Sequence, residues 1–343
     1  MRLNTIQAIL RGLTPVRAQT VGNMTIVPLV SDMVDDTIAS PNVLEMETPG
    51  YGTVIVYNTG TEDESGLTIS PLGSVIMTSK AAQNHAVPSM KLIRKGKSVR
   101  LDNAACVQEH RGGYIRKDRY QLMLLPLILR EDALETRKVK SHGKLWPSIR
   151  SFNKSLGLQH EGHLEHFVHR YRQEMDEFVA QFEVLPNQVG AIVLVDGVVA
   201  GIERCPNYRF FKVMWEPLIR ECYGSYSLQK AIESGFKVPP VRVALSTSRV
   251  RSLADIRKAL VRAALKEEAQ IKKTINAFIK NEFKVEAEER KAGFKVETLT
   301  NSQFKGQMVR KSQVPLMFSF VKTKDWLADP NQEKFAQAKP FRM

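Results

Sequence analysis

Residues 188–203, "QVGAIVLVDGVVAGIE", decide how the rest of the chain is read. Two apolar, β-branched runs flank Asp196-Gly197, a dipeptide that tolerates the positive φ of a type I′ turn. The stretch therefore reads as a β-hairpin. Downstream, "NYRFFKVMWEPLIRECYG" (207–224) returns to helical periodicity. Upstream, "WPSIRSFNKSLG" (146–157) puts Trp146, Ile149, Phe152 and Leu156 on one helix face, with Gly157 as its C-terminal stop. A second helix is expected from Glu161 to Phe182.

The first third is strand-like instead. "GNMTIVPLV" (22–30) and "YGTVIVYNTG" (51–60) have high β-propensity, and the acidic loop "GTEDESG" (60–66) belongs on the surface. Short strands follow around Leu67–Ile69, Ser74–Met77, Ser89–Ile93 and Ser98–Ala105, and "YQLMLLPLIL" (120–129) reads as a buried strand. From Ser252 to Lys291 the pattern is one long helix, or two broken near Asn276–Asn281. Ser252 and Asp255 cap its start and Gly293 closes its end. Strands at "KGQMV" (305–309) and "PLMFSFV" (315–321) finish the chain. The expectation is an α+β fold: an antiparallel sheet or sandwich core with packed helices and one long basic helix. We read residues 1–343 as a single domain, divisible into a β-rich part (1–140) and an α/β part (141–343) that contains the helix 252–291.

Charge narrows the function. The formal net charge is +14, and the excess cations lie in residues 90–150 and 236–343, whereas 1–89 and 151–235 are net acidic. Such segregation points to a polyanionic partner. On the expected helix, Lys258, Arg262, Lys266, Lys273, Lys280 and Lys284 recur at steps of four and seven, and Arg249 and Arg251 extend the field upstream. A helix from Lys258 to Lys284 spans about 39 Å, comparable with a run of nucleic-acid backbone. A second block holds Arg94, Lys95, Lys97, Arg100, Arg116, Lys117 and Arg119, interleaved with Tyr114 and Tyr120, which could stack bases. Acidic neighbours such as Glu268 before Lys272 and Glu286 before Arg290 also fit a plainly solvated face.

The leading expectation is a non-enzymatic nucleic-acid binder that contacts phosphates. RNA is favoured over DNA because no major-groove reading motif is present. A third reading is assembly, with the helix joining copies into a homo-oligomer. No cofactor is expected. No P-loop, dinucleotide fingerprint, HExxH or GxSxG occurs, and the longest apolar run is far short of the ~20 residues that span a bilayer. Cys106, Cys205 and Cys222 have no CxxC spacing, which fits a reducing cytoplasm, bacterial or phage-infected.

"QHEGHLEHFVHR" (159–170) holds His160, His163, His166 and His169 at a spacing of three. On a helix that spacing drifts about 60° per step, so one ion could not use all four. No metal site is expected.

Several ordered blocks resemble the ARG and Rhodanese-Phosphatase-superfamily-associated domain family. They are "GNMTIVPLV", then residues 52–60 with 73–114, "LWPSIRSFNKSLGL" (145–158), residues 183–203 with 211–223, and "FKGQMVRKSQVPLMFSFV" (304–321). Gln83-Asn84 matches a family dipeptide, though His85 stands where the family has Arg. The family's Cys-Val-Glu becomes Cys106-Val107-Gln108 with Glu109 one place later, and its Gly-Arg-Trp becomes "HRGGY" with Arg111 and Tyr114. The resemblance implies association with systems that handle NAD and ADP-ribose. A candidate ligand pocket then comprises Gln83, Asn84, His85, Glu109 and Arg111: amides to read a ribose or base edge, Arg for phosphate, Glu as base. The bland alternative is a capped turn and a plain ion pair.

Overall fold

Asp196 and Gly197 both take positive φ, 51° and 79°, so the hairpin turns as its dipeptide requires. In this computed structural model, residues 5–60, 66–77, 83–110, 113, 121–236, 252–278, 281–291 and 293–328 are described. The hairpin arms, Gln188–Val195 and Val198–Arg204, form the middle of a nine-stranded sheet. The first arm pairs with Met24–Val30 and the second with Val314–Lys322, both antiparallel. Beyond Met24–Val30 lie Thr14–Pro15 and Gln19–Val21. On the other side Val314–Lys322, Phe304–Lys311, Phe294–Thr300 and Lys284–Lys291 follow as an antiparallel meander. The α+β class holds.

Every residue of Gln188–Val195 is buried. Side chains alternate across a strand, so Ala191, Val193 and Val195 enter one core with Phe210, Phe211, Trp215 and Tyr223. Ile192 and Leu194 enter a second core on the opposite face, with Ile6, Ile9, Phe278, Phe304 and Phe320. Two-sided burial explains why this hairpin lacks the polar alternation of a surface ribbon.

A buried ion pair ties five segments together. Arg130 donates to Glu203 (2.8 Å), to Ser319 Oγ (2.7 Å) and to the Leu72 carbonyl (3.1 Å). The Tyr223 hydroxyl donates to the same Glu203 oxygen at 2.8 Å. A turn of π-helix, Leu218–Tyr223, brings Tyr223 there, and a Cβ on Gly201 would lie 2.1 Å from its hydroxyl. Only glycine fits that close approach.

Three smaller sheets complete the strands. They join Lys91–Arg94, Leu67–Ser70 and Ile38–Ala39; then Ser98–Leu101, Thr53–Asn58 and Leu44–Gly50; then Ala105–Cys106, His85–Ala86, Ser74–Met77 and Gln121–Leu124.

Three expectations need correction. The strand expected over 120–129 covers only Gln121–Leu124 within the described residues, because Pro126 cannot donate to a ladder and instead opens the helix Leu127–Glu135. The helix expected over Glu161–Phe182 is two helices, Glu165–Arg170 and Arg172–Val179. Residues 162–164 run instead alongside 107–109: Gly162 and Leu164 donate their N–H groups to Glu109 and to the Val107 carbonyl, and His163 bridges to Gln108. The long helix begins as expected, with the Asp255 N–H bonded to Ser252 Oγ at 3.2 Å, but it ends at Phe278. Phe278 and Phe283 are buried, and from Lys284 to Lys291 the chain is a charged edge strand paired with Phe294–Thr300. Gly293, at φ 82°, turns between those strands and does not cap a helix. Lys284 is therefore not on the helix, and Arg290 pairs with Glu288 (2.6 Å) rather than with Glu286.

Candidate functional site

The expected pocket residues meet through strand pairing. His85 is the register partner of Cys106, and the Val107 N–H donates to the Asn84 carbonyl at 3.0 Å. This sets residues 83–85 beside 106–109. The Asn84 N–H donates to Gln108 Oε1 (2.7 Å), and its side-chain amide donates to Glu165 (3.0 Å). His85 accepts from the Gly52 N–H at Nε2 (3.2 Å), while Nδ1 lies 3.1 Å from the Gln83 carbonyl. One neutral tautomer satisfies both contacts, with the proton on Nδ1. Burial holds the His85 pKa down at about 4 against the opposing pull of the Gln83 carbonyl.

Glu109 receives the Gly162 N–H (2.9 Å) and the Arg150 guanidinium. Burial pushes its carboxyl pKa up, but those donors outweigh burial and leave it below the ordinary value. Cys106 donates to the Gln108 carbonyl at 3.1 Å, and burial raises its pKa, so its thiol is not an activated nucleophile. Two buried atoms of the cluster, Gln83 Oε1 and Gln108 Nε2, have no hydrogen-bond partner among the described residues. At the rim, Tyr51 (48% exposed) stacks on His142 at 5.4 Å, and His142 meets Trp146 edge-on at 5.3 Å.

Gln83, Asn84, His85 and Glu109 are thus brought together, while Arg111 lies outside the described residues. The guanidinium found on Glu109 is that of Arg150, from the helix Trp146–Ser155. His163 enters the same neighbourhood through a backbone bridge with Gln108 and stacks on His166 at 5.3 Å. Among the described residues, no three His, Cys, Asp or Glu side chains are placed to hold one metal ion.

The cationic residues divide differently. Lys258, Arg262, Lys266 and Lys273 are exposed, and at 100° per residue they fall within about 80° of one face of the long helix. They cover about 22 Å of axis rather than the expected 39 Å. Lys284 is exposed on the edge strand. Arg94, Lys97 and Arg100 are exposed and Lys95 is half-buried around the turn between Lys91–Arg94 and Ser98–Leu101. Arg100 pairs with Asp102 at 2.7 Å. Lys95, Gly96 and Lys97 line a cavity of about 250 Å³ with Tyr57, Asn58, Thr59 and Gly60. Arg116, Lys117, Arg119, Arg249, Arg251 and Lys280 lie outside the described residues.

A family model, ARPP-1, the ARG and Rhodanese-Phosphatase-superfamily-associated Protein domain, matches residues 12–312. The chain belongs to this family. Comparison with curated proteins and with solved structures gives no match. The ARPP-1 span contains both the polar cluster and the long helix. Among the described residues of this ARPP-1 protein, no helix is long and apolar enough to cross a membrane. Sequence reasoning did not find Arg150, Gly162 and Glu165 as partners of the ARPP-1 cluster. Arg150 does sit in one of the family-like blocks, and that block is the one signal that could have flagged it.

Proposed function

We propose that the chain is a non-enzymatic nucleic-acid-binding protein, RNA before DNA, that contacts the phosphate backbone through the cationic face of the long helix. One observation carries the reading: Lys258, Arg262, Lys266 and Lys273 share a face and all stand in solvent. Three of the four are amines on flexible stems, point charges for phosphate that read no base, and the Arg262 guanidinium can fork onto phosphate oxygens. The expected binding is therefore independent of sequence and steep in salt. The Arg94–Arg100 turn supplies a second cationic patch. A salt titration with single-stranded RNA, duplex RNA and DNA tests this. Lys258→Glu/Lys266→Glu/Lys273→Glu is expected to cut affinity more than tenfold and to flatten the logarithmic salt slope by roughly two to three. Affinity that ignores both salt and these reversals overturns the reading.

A second reading is favoured by a different observation: Gln83 Oε1 and Gln108 Nε2 are buried without a hydrogen-bond partner among the described residues. Buried polar atoms left over in an otherwise saturated cluster are suited to a small polar ligand, and the NAD or ADP-ribose class presents matching ribose and amide edges. Millimolar NAD or ADP-ribose is then expected to raise the thermal midpoint. No shift with either compound removes this reading.

A further inference from the structure

The fold does not use up the apolar arc of the long helix. At its C-terminal end, Ile271, Ile275 and Phe278 pack on the core beneath the main sheet. From Leu253 to Leu265 no side chain is buried, and Leu253, Ile256, Leu260, Val261 and Leu265 are 85%, 37%, 52%, 54% and 59% exposed. We propose that this arc pairs two copies of the chain, antiparallel, over Leu253–Lys272.

The charge pattern selects both occupant and direction. At 100° per residue, Arg257 and Glu268 fall inside the apolar arc, about 20° from each other and about 80° or more from Lys258, Arg262, Lys266 and Lys273. They lie about three turns, ~16 Å, apart. A purely apolar partner would desolvate both charges without pairing them. A parallel copy would set Arg257 against Arg257. An antiparallel copy centred between Arg262 and Ala263 sets Arg257 opposite Glu268 twice, and layers Leu260 and Val261 over Ala264 and Leu265. Glu268 holds Lys272 at 2.7 Å, but both are more than half exposed, so that pair yields easily. The five exposed side chains offer roughly 500 Å² per copy, or about 1,000 Å² in all, at the lower edge of specific interfaces. The dimer is therefore a weak one. Its cationic faces point outward, but the pairing does not depend on nucleic-acid binding.

Sedimentation equilibrium of the nuclease-treated full chain, from about 1 to 100 µM, tests the proposal. The expected result is a monomer–dimer equilibrium that Leu260→Glu abolishes and Arg257→Glu weakens at least tenfold. Arg257→Glu/Glu268→Arg restores it. A wild-type monomer throughout, a dimer indifferent to Leu260→Glu, or a double reversal no tighter than Arg257→Glu alone overturns it. As a check independent of the variants' fold, Arg257→Cys/Glu268→Cys is expected to oxidise to a disulfide-linked dimer. These positions are too far apart to close within one chain, and the three native cysteines are buried. Absence of the linked dimer also overturns the proposal.

Discussion

The cluster around Asn84 and Glu109 and the helix Leu253–Phe278 are both rich in polar groups, but they aim them in opposite directions. In the cluster, Asn84, His85 and Glu109 turn nearly every donor and acceptor toward the protein itself. On the helix, Lys258, Arg262 and Lys273 turn theirs toward water. Polar density in a sequence therefore does not mark a site. What differs is the cost of leaving a group unmatched, large in the cluster and small on the helix.

That contrast predicts a graded series of effects, the largest being on pH. His85 is held neutral, its pKa near 4 against an ordinary 6.5. Above pH 6.5 neither folded nor unfolded chain protonates it, and its contribution is fully present. As pH falls from 6.5 to 4, the unfolded chain takes up a proton that the folded chain refuses, and stability drops by up to about 3 kcal/mol. Urea unfolding at pH 7 and pH 4.5 measures the loss, and a His85→Gln variant should show a smaller one. Equal stability of the wild type at both values would put His85 with the exposed groups and break the contrast. The next effect is that of Glu109→Gln. The new amide can still accept from the Gly162 N–H, but the charge-assisted bond from Arg150 is lost, at about 1–2 kcal/mol. A denaturant midpoint unchanged by the substitution would show that Arg150 and Glu109 do not depend on each other.

The features legible in the sequence were the local ones. Asp196-Gly197 dictates its own turn, and Ser252 with Asp255 marks the helix start, because each acts within a few residues. The helix end was not legible. The charged run from Lys284 to Lys291 suits a solvated helix as well as an edge strand, and only pairing with Phe294–Thr300 decides between them. In the candidate cluster, Gln83, Asn84, His85 and Glu109 were found through family-like blocks. Their partners Arg150, Gly162 and Glu165 lie 41, 53 and 81 residues from the groups they bind. Interactions of that range leave no periodicity to read. The same holds for the exposed arc at Leu260 and Leu265: a helical period shows that an apolar face exists, not whether the chain covers it.

The smallest effect belongs to the helix's cationic face, and it sharpens the comparison most. Lys258→Ala and Lys273→Ala remove exposed side chains and substitute a residue of higher helix propensity, so each should change unfolding free energy by no more than about 0.5 kcal/mol, in either direction. The same two changes should each weaken backbone binding measurably, since taking away one phosphate-binding charge reduces the salt slope by a little under one. A stability loss above about 1 kcal/mol would mean that the lysine stems pack against the protein, as long charged side chains can. That face would then belong with the cluster, its charges part of the fold rather than available to a partner.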